Sequence, residues 1–253
     1  MSVPREPPNT GPYHETEEKP SLDYRTVLNR TEEIAGHVNW IVFPAFSLDR
    51  GEGCEVHENA FWDLQTYLGL RENLAANEGA RSFVHASQRE RTPLGHAHRA
   101  YLRDFSVDQV REMYRQAVGR LIDRVTETKE FYRAGIVAIN TTEADPFTGD
   151  RTGHENEIIG TKESSGEYAY QWATVQQVRN AVPLVLDARP VRKGDSRSEI
   201  VEDLLGTDKN LVHVDKVLMD REFDSQHILE PIASRGLTYV VPKRMQTSEK
   251  AQA

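Results

Sequence analysis

Two short apolar runs of the sequence end on oxygen-bearing side chains. Asn140 follows the run Gly135–Ile139, and Asp220 closes the run Lys216–Asp220. Runs of this length, rich in β-branched residues, are typical of buried β-strands. If the two strands are parallel neighbours, Asn140 and Asp220 converge where both strands end. Carboxylate and amide oxygens on rigid strand ends can anchor Mg²⁺, and Mg²⁺ ions held in this way support chemistry on phosphodiester bonds.

Further acidic residues lie near the predicted strands. Glu143, Asp145 and Asp150 follow the first strand in a polar, glycine-containing segment. We expect a loop there with solvated acids, and assistance to a bound metal is the alternative. Asp187 ends another apolar run, Pro183–Asp187, and we interpret it as a turn residue.

The histidines and the single cysteine give weaker signals. His85, His96 and His98 have a metal-like spacing, but H-x-H without cysteine or a third spaced ligand is a weak pattern. We therefore expect His96 and His98 to lie in a loop or to contact phosphate. Cys54 excludes an internal disulfide and fits a reducing cytosol. No basic residue near it would activate the thiol, so we expect it to be unreactive.

The second half of the chain alternates between strand and helix patterns after residue 134. Three consecutive strands are followed by a helix, a strand, a helix and a strand, in the order β-β-β-α-β-α-β. The first three should form an antiparallel meander, and the later strands, which arrive through helices, should run parallel to the first. This is the order of the ribonuclease-H-like fold. The predicted elements are strands 135–139, 168–175, 183–187, 216–220 and 237–241, and helices 196–205 and 225–235.

The first half of the chain reads as mainly helical. Helix patterns cover 21–42, 58–70 and 107–125, whereas 89–101 reads as irregular because of Pro93 and Gly95. We therefore predict an α/β (α+β) protein with a helical region 21–133 and a partial ribonuclease-H-like domain 134–244 that is incomplete at its C-terminus. Residues 1–20 form a predicted disordered tail, and 245–253 a polar one.

The charge balance is acidic and poor in lysine. The chain has 40 acidic and 31 basic residues, of which 23 are Arg and 8 are Lys, and a net charge of −9. This composition indicates a protein adapted to concentrated salt, with an ordinary acidic protein as the alternative. The N-terminus lacks the features of a signal peptide, and no apolar stretch is long enough to span a membrane. We therefore expect a cytoplasmic protein without a membrane partner.

Basic residues are concentrated in one middle segment. Residues 81–133 contain 11 basic and 7 acidic residues, whereas the segments before and after it have net charges of −8 and −5. If a nucleic acid binds anywhere, its backbone should bind here. A solvated helix face is the alternative. The predicted DNA-contacting residues are Arg99, Arg103, Arg111, Arg115 and Arg120.

Three stretches of this sequence resemble insertion-sequence DDE transposases. The run VLMDREFDSQHILEPIASRGLTYVVPKR (217–244) is similar to the family's second-Asp block, and GIVAINTTEADPFTGDR (135–151) to its first-Asp block. VPLVLDARPVRKGDS (182–196) matches the strand and turn between them. The resemblance covers about residues 90–244 and is closest to transposases of salt-adapted prokaryotes. It implies a protein of DNA transposition whose relatives cleave and transfer DNA strands with Mg²⁺.

The sequence departs from the family pattern in two ways. Position 140 is Asn where the family has the first catalytic Asp, and the family's third acid, on a later helix, has no counterpart before Ala253. Asp220 then serves as the metal ligand and, with Asn140, forms the residual catalytic site. We expect weak Mg²⁺ binding and an inactive chain. The expected partners are transposon-end DNA and a second copy or an intact transposase.

Two alternatives remain open at this stage. One is a catalytically inactive DNA-binding protein that competes with or regulates an active transposase. The other is a ribonuclease-H-like nuclease, against which Asn140 counts as much as it does against transposition.

Overall fold

The computed structural model describes residues 23–51, 53–71, 74–87, 89–127, 134–160, 168–178, 183–208 and 211–243. The chain divides into two compact units, one ending at His37 and one beginning at Val38. The described part of the first unit is helix α1, Tyr24–His37. At its start, the Asp23 carboxylate accepts hydrogen bonds from the Thr26 backbone N–H (2.9 Å) and hydroxyl (2.8 Å). The predicted tails 1–20 and 245–253 lie outside the described residues.

The second unit begins with helical elements. A π-helical turn, Val38–Val42, and a 3₁₀ turn, Phe43–Ala45, precede four α-helices. The helices are α2 (Glu58–Leu70), α3 (Ala76–Ser87), α4 (Gly95–Arg103) and α5 (Val107–Thr126). Helices α2 and α5 confirm the sequence prediction. The predicted capping box is also present, with Ser106 and Gln109 bonded reciprocally at the start of α5.

Helix α4 corrects the prediction of an irregular segment. Pro93 and Gly95 precede and begin this helix, where neither residue interrupts a turn. Gly95 is required for another reason, because a Cβ atom there would lie 2.4 Å from the carbonyl oxygen of Ala76. The glycine therefore lets α4 approach the backbone of α3, which the sequence pattern did not predict.

The sheet has the predicted topology. Its strands are β1 (Ala134–Phe147), β2 (Ile158–Gly160), β3 (Tyr168–Gln177), β4 (Leu184–Val191), β5 (His213–Met219) and β6 (Thr238–Val240). Strand β3 pairs antiparallel with β1, β2 and β4, whereas β5 is parallel to β1 and to β6. Helix α6 (Arg197–Asp208) precedes β5, and α7 (Gln226–Ser234) precedes β6. The α+β class and the ribonuclease-H-like strand order are confirmed, and the short β2 is an addition.

Strands β1 and β4 extend well past their predicted C-terminal ends. Strand β1 continues past Asn140 to Phe147, because its second half pairs with β3 alone. Glu143 and Asp145 therefore lie in a strand rather than in a loop. Strand β4 continues through Pro190 to Val191, so Asp187 lies inside the strand and is not a turn residue.

The sheet and three helices share one hydrophobic core. Val118 and Ile122 of α5 belong to the same buried cluster as Val137 and Val217 of the sheet and Leu204 of α6. Helix α7 adds Ile228 and Ile232 to this cluster. Helix α5, although it lies before the predicted boundary at 133, therefore packs directly on the sheet.

The remaining helices of this unit have cores of their own. A second buried cluster contains Phe43, Leu48, Phe61 and Trp62.

None of the helices within the described ranges combines the length and apolarity needed to cross a membrane.

Candidate active site

Asn140 and Asp220 follow the last pair of the parallel β1–β5 ladder. That pair joins Ile139 to Met219, so the next residue on each strand is one of the two candidates. Ile139 and Met219 are buried, whereas Asn140 and Asp220 are exposed. Because side chains alternate along extended chains, Asn140 and Asp220 project on the same, outer face. The predicted adjacency of the two strands is confirmed, and the catalytic role of the two side chains stays a prediction.

Asp220 is fixed by the turn that follows β5. Its carboxylate caps the 3₁₀ turn Arg221–Phe223 and accepts a hydrogen bond from the Arg221 backbone N–H at 2.6 Å. Phe223 is fully buried and anchors the other end of this turn. The Asp220 side chain is thus oriented by rigid backbone, while it stays accessible to solvent.

A second carboxylate at this edge, Glu222, was missed by the sequence analysis. One of its oxygens accepts a hydrogen bond from the Thr141 hydroxyl, and the other pairs with Arg197 at 2.9 Å. Its side chain is 16% exposed, and that of Arg197 is 25% exposed. The two partners lie 81 and 25 residues away in the chain, so no local sequence signal could have identified them.

The described residues at this edge supply few groups that could hold a divalent cation. Asp220 supplies an exposed carboxylate and Asn140 an amide oxygen, whereas Arg197 already neutralises Glu222. No group of three or more metal-ligating His, Cys, Asp or Glu side chains occurs within the described ranges. A two-metal centre needs more negative charge than one carboxylate provides. The charge and number of these groups do not fit a two-metal centre.

A network of ion pairs around a buried carboxylate lies elsewhere, between α5 and β4. Asp187 is fully buried and accepts hydrogen bonds from two α5 arginines. Arg111 binds it through Nε (3.0 Å) and a terminal nitrogen (2.5 Å), and Arg115 through a terminal nitrogen at 2.8 Å. Arg111 also binds Asp203 of α6 at 2.7 Å, and Arg189 binds the same Asp203 at 3.0 Å. These ion pairs connect α5, β4 and α6.

The ion pairs determine the charge state of the buried groups. Burial of Asp187 opposes its ionisation, but the hydrogen bonds and positive charges of Arg111 and Arg115 outweigh this effect and lower the pKa of Asp187. Burial and the nearby Asp187 charge together raise the pKa of Tyr114 to about 12. The Tyr114 hydroxyl donates a hydrogen bond to the Val185 carbonyl at 2.9 Å. Asp187 is thus a buried, ionised carboxylate that binds α5 to the sheet.

Two of the five arginines predicted to contact DNA pair with acids inside the fold. Arg111 and Arg115 face the sheet and bind Asp187. Arg120 donates through Nε to the Ile41 carbonyl at 2.7 Å and is exposed. Arg99 and Arg103 are exposed on α4. Of the five arginines predicted to contact DNA, Arg99, Arg103 and Arg120 are therefore the exposed ones.

Other arginines of the segment 81–133 are also paired with acids. Arg89 pairs with Asp63, and Arg91 with Glu55 at 3.0 Å. The acids come from outside the segment, as Asp187 does. The positive charge of this segment is thus partly neutralised by folding, and its sequence charge of +4 overstates the positive charge of the surface.

His98 is neither a loop residue nor a phosphate contact, contrary to expectation. It is 1% exposed in α4, and its ring lies 4.3 Å from that of Phe61. Neither ring nitrogen has a hydrogen-bond partner among the described residues. Burial lowers the pKa of His98, so the imidazole is neutral at physiological pH. His96, in contrast, is exposed.

Two other residues singled out in the sequence, Asp150 and Cys54, lie at the surface. Asp150 is exposed and accepts hydrogen bonds from the Thr152 backbone N–H (3.0 Å) and hydroxyl (2.7 Å), which lower the pKa of Asp150. This is the local geometry of a turn. Cys54 is a free, exposed thiol.

Comparison with known proteins gives structural but no sequence matches. No protein-family model and no curated protein match the chain. The Drosophila P element transposase strand transfer complex matches with a TM-score of 0.35 and 9% identity, over 83% of this chain and 43% of that chain. The piggyBac transposase synaptic complex with hairpin DNA matches with a TM-score of 0.41 and 11% identity, over 87% of this chain and 50% of that chain. The Mos1 transposase paired-end complex matches with a TM-score of 0.27 and 10% identity, over 94% of this chain and 80% of that chain.

The chain therefore spans at most half of the P element and piggyBac chains. All three TM-scores are below 0.5, so the fold assignment rests on the strand order and pairings described above.

Proposed function

We propose that this chain is a DDE-transposase-family protein of DNA transposition that binds DNA and does not cleave it. The observation that carries the proposal is the placement of Asn140 and Asp220 after one rung of a parallel ladder, in a ribonuclease-H-like sheet. The sequence around both residues resembles the first and second acidic blocks of insertion-sequence transposases. The fold supports the adjacency of the two residues, and the resemblance to transposases supports DNA strand cleavage and transfer as the reaction of the family.

The lack of cleavage follows from the charge of the site. Strand cleavage by two Mg²⁺ ions requires stabilisation of both the attacking and the leaving oxygen. Here position 140 carries a neutral amide, and the Glu222 carboxylate is paired with Arg197. Asp220 alone binds Mg²⁺ weakly and cannot hold two ions.

DNA binding is assigned to the exposed arginines of the helical region. Arg99 and Arg103 lie on one helix, and an arginine can bind a phosphate through two parallel hydrogen bonds. The acidic remainder of the chain repels DNA at low salt, and salt screens this repulsion. Short-range contacts then persist, so affinity changes little between moderate and high salt. An ordinary basic DNA-binding protein loses affinity steeply over the same range.

The salt adaptation implied by composition belongs to the same proposal. The excess of acids over bases and the scarcity of lysine keep the surface hydrated in concentrated salt. The cellular setting is a salt-adapted prokaryotic cytoplasm.

The neutral Asn140 favours a regulatory role for this chain over a role in residual catalysis. A chain that occupies transposon ends without cutting them competes with an active relative. Its partners are then transposon-end DNA and an intact transposase or a second copy of itself. Repression of transposition when this chain is co-expressed with an active relative would distinguish this role from that of an inert remnant.

Two measurements test the proposal. Fluorescence anisotropy with a short DNA duplex, over a series of salt concentrations, should show weak binding with a small salt slope. Incubation with supercoiled plasmid and Mg²⁺ should give no nicking by the parent chain or by Asn140→Asp. Metal-dependent nicking that Asp220→Asn abolishes would refute the loss of cleavage, and absence of DNA binding at every salt concentration would refute the DNA-binding role.

A further inference from the structure

We infer that Glu222 is a positioning residue that holds Asn140 and Asp220 together beyond the end of the β1–β5 ladder. The inference rests on the proposed function, because it concerns the same site. Glu222 lies in the turn directly after Asp220, and it contacts Thr141, the residue directly after Asn140. A single side chain thus connects the two chain segments just past the two candidate residues.

The connection is located where the two strands separate. The last parallel pair is Ile139 with Met219. After it, β1 continues along β3, whereas the other chain turns into Arg221–Phe223. The Thr141–Glu222 hydrogen bond lies beyond the last backbone pair and fixes the spacing of the two ends there.

Arg197 holds Glu222 from a rigid element. It is the first residue of α6, whose start is closed by reciprocal Ser196–Glu199 hydrogen bonds of 3.1 and 3.2 Å. Next to it, the Ser198 hydroxyl donates to the His227 carbonyl of α7 at 3.1 Å. The Arg197–Glu222 pair is largely shielded from water, so it is weakened by solvent less than an exposed pair is.

Glu222 acts through its neighbours and not as a metal ligand. Alternation along β1 places Thr141 on the opposite face from Asn140, so the Glu222 oxygen bonded to Thr141 lies on the side away from the candidate site. Its other oxygen is neutralised by Arg197. Groups that orient metal ligands in this way typically change metal affinity by about 10- to 100-fold when they are removed.

The first test measures the spacing without metal. In a Cys54→Ser background, Asn140→Cys and Asp220→Cys place one thiol directly after each member of the last β1–β5 pair, so the rate of disulfide formation reports how closely the two ends approach. Thr141→Val replaces the hydroxyl with a methyl group of similar size, and Thr142→Val, at the exposed neighbouring residue, is the matched control. We expect disulfide formation to be slower with Thr141→Val than in the parent background, and to be unchanged with Thr142→Val. Equal rates in both variants would overturn the inference.

The second test separates positioning from direct ligation. Asn140→Asp provides two carboxylates for Mn²⁺, whose binding is followed by electron paramagnetic resonance. In that background we expect Thr141→Val and Glu222→Gln each to weaken Mn²⁺ binding about tenfold. Thr142→Val should have no effect. If Glu222 were itself a ligand, Glu222→Gln would weaken binding while Thr141→Val, which leaves the carboxylate in place, would not.

The Mn²⁺ measurements distinguish failure of the Asn140–Asp220 site from failure of the positioning role of Glu222. Absence of Mn²⁺ binding by Asn140→Asp, with no further change on Asp220→Asn, would overturn the site itself and the inference with it. Mn²⁺ binding that depends on Asp220 but survives both Thr141→Val and Glu222→Gln would overturn the positioning role alone.

Discussion

The α5–β4 contact and the β1–β5 edge use charge in opposite ways. At the first, a fully buried Asp187 is surrounded by two arginines, and Asp203 shares one of them. At the second, Asp220 is exposed beside a neutral Asn140. The pKa of Asp187 is lowered by its partners, and removing one member leaves an uncompensated buried charge.

Charged side chains of this protein therefore fall into two classes. Structural charges are paired inside the fold, and available charges are exposed and can bind a ligand. Arginines that are saturated by carboxylates hold helices on the sheet and have little capacity left for a ligand. Exposed groups contribute little to stability and can therefore serve binding or chemistry. The same division applies to the arginines predicted to bind DNA, since Arg111 and Arg115 belong to the first class and Arg99 and Arg103 to the second.

The largest effect should come from Asp187. Asp187→Asn leaves Arg111 and Arg115 partly buried without their shared counter-charge, and we expect a loss of about 3–5 kcal/mol in the free energy of unfolding. Denaturant titration measures this loss. Asp215→Asn, at an exposed carboxylate 3.4 Å from His213, is the control and should cost less than about 1 kcal/mol. Equal losses in the two variants would break the division between structural and available charge.

The Asp187 effect should also depend on pH. A folded-state pKa below the unfolded value means that the stabilisation is fully present above about pH 4. It is lost as the pH falls through the lower folded-state pKa. Asp187→Asn should therefore show a smaller loss of stability than the parent chain in this acid range.

His98 sharpens the comparison because it is buried and neither of its ring nitrogens has a hydrogen-bond partner in the described part of the chain. Its folded-state pKa is lowered, so below about pH 6.5 the unfolded chain takes up a proton that the folded chain does not. Stability should fall with decreasing pH by up to about 1.4 kcal/mol per pH unit. His98→Leu should remove this slope. The exposed His96→Gln serves as the control, and a slope that persists in His98→Leu would assign it to another group.

The exposed arginines should affect binding but not stability. We expect Arg99→Ala with Arg103→Ala to weaken duplex DNA binding by about 2- to 30-fold, on the basis of about 0.2–1 kcal/mol for each exposed charge contact. The unfolding midpoint should be unchanged. Arg111→Ala should instead lower the unfolding midpoint. A double variant that binds as tightly as the parent would show that α4 does not contact DNA.

Asp220 should give the smallest change in stability. Asp220→Asn keeps a side-chain oxygen that can cap the turn, so we expect a change within about 0.5 kcal/mol. Calorimetric titration should nevertheless show loss of the weak Mg²⁺ binding. A large destabilisation would move Asp220 into the structural class.

The fold could be predicted largely because its signals are local. The alternation along β3, the apolar run at the start of β1 and the Ser106–Gln109 cap are all readable within a few residues. The end of β4 was misplaced because Pro190 usually stops a strand. In the structure, Pro190 is accommodated in a strand whose described pairing is with β3 alone, and edge strands tolerate proline.

The site could be predicted only in part because its contacts are distant. The convergence of Asn140 and Asp220 follows from element order alone. The pairing of Asp187 with Arg111 spans 76 residues, and that of Glu222 with Thr141 spans 81. His98 was misread for a similar reason, since its burial depends on Phe61 of another helix. Net charge counted along a segment also missed the acids that folding brings to it.

The Arg111–Asp187 pair affects how the chain folds while it is being synthesised on the ribosome. Asp187 is made 76 residues after Arg111, and Asp203 is made 92 residues after it. At about 5–20 residues per second, Arg111 waits roughly 4–15 s for its buried partner Asp187. During that time the nascent helix is cationic in a cell rich in ribosomal RNA. Its docking on the sheet is thus timed by the translation of β4 and not by its own helix formation, which takes about a microsecond.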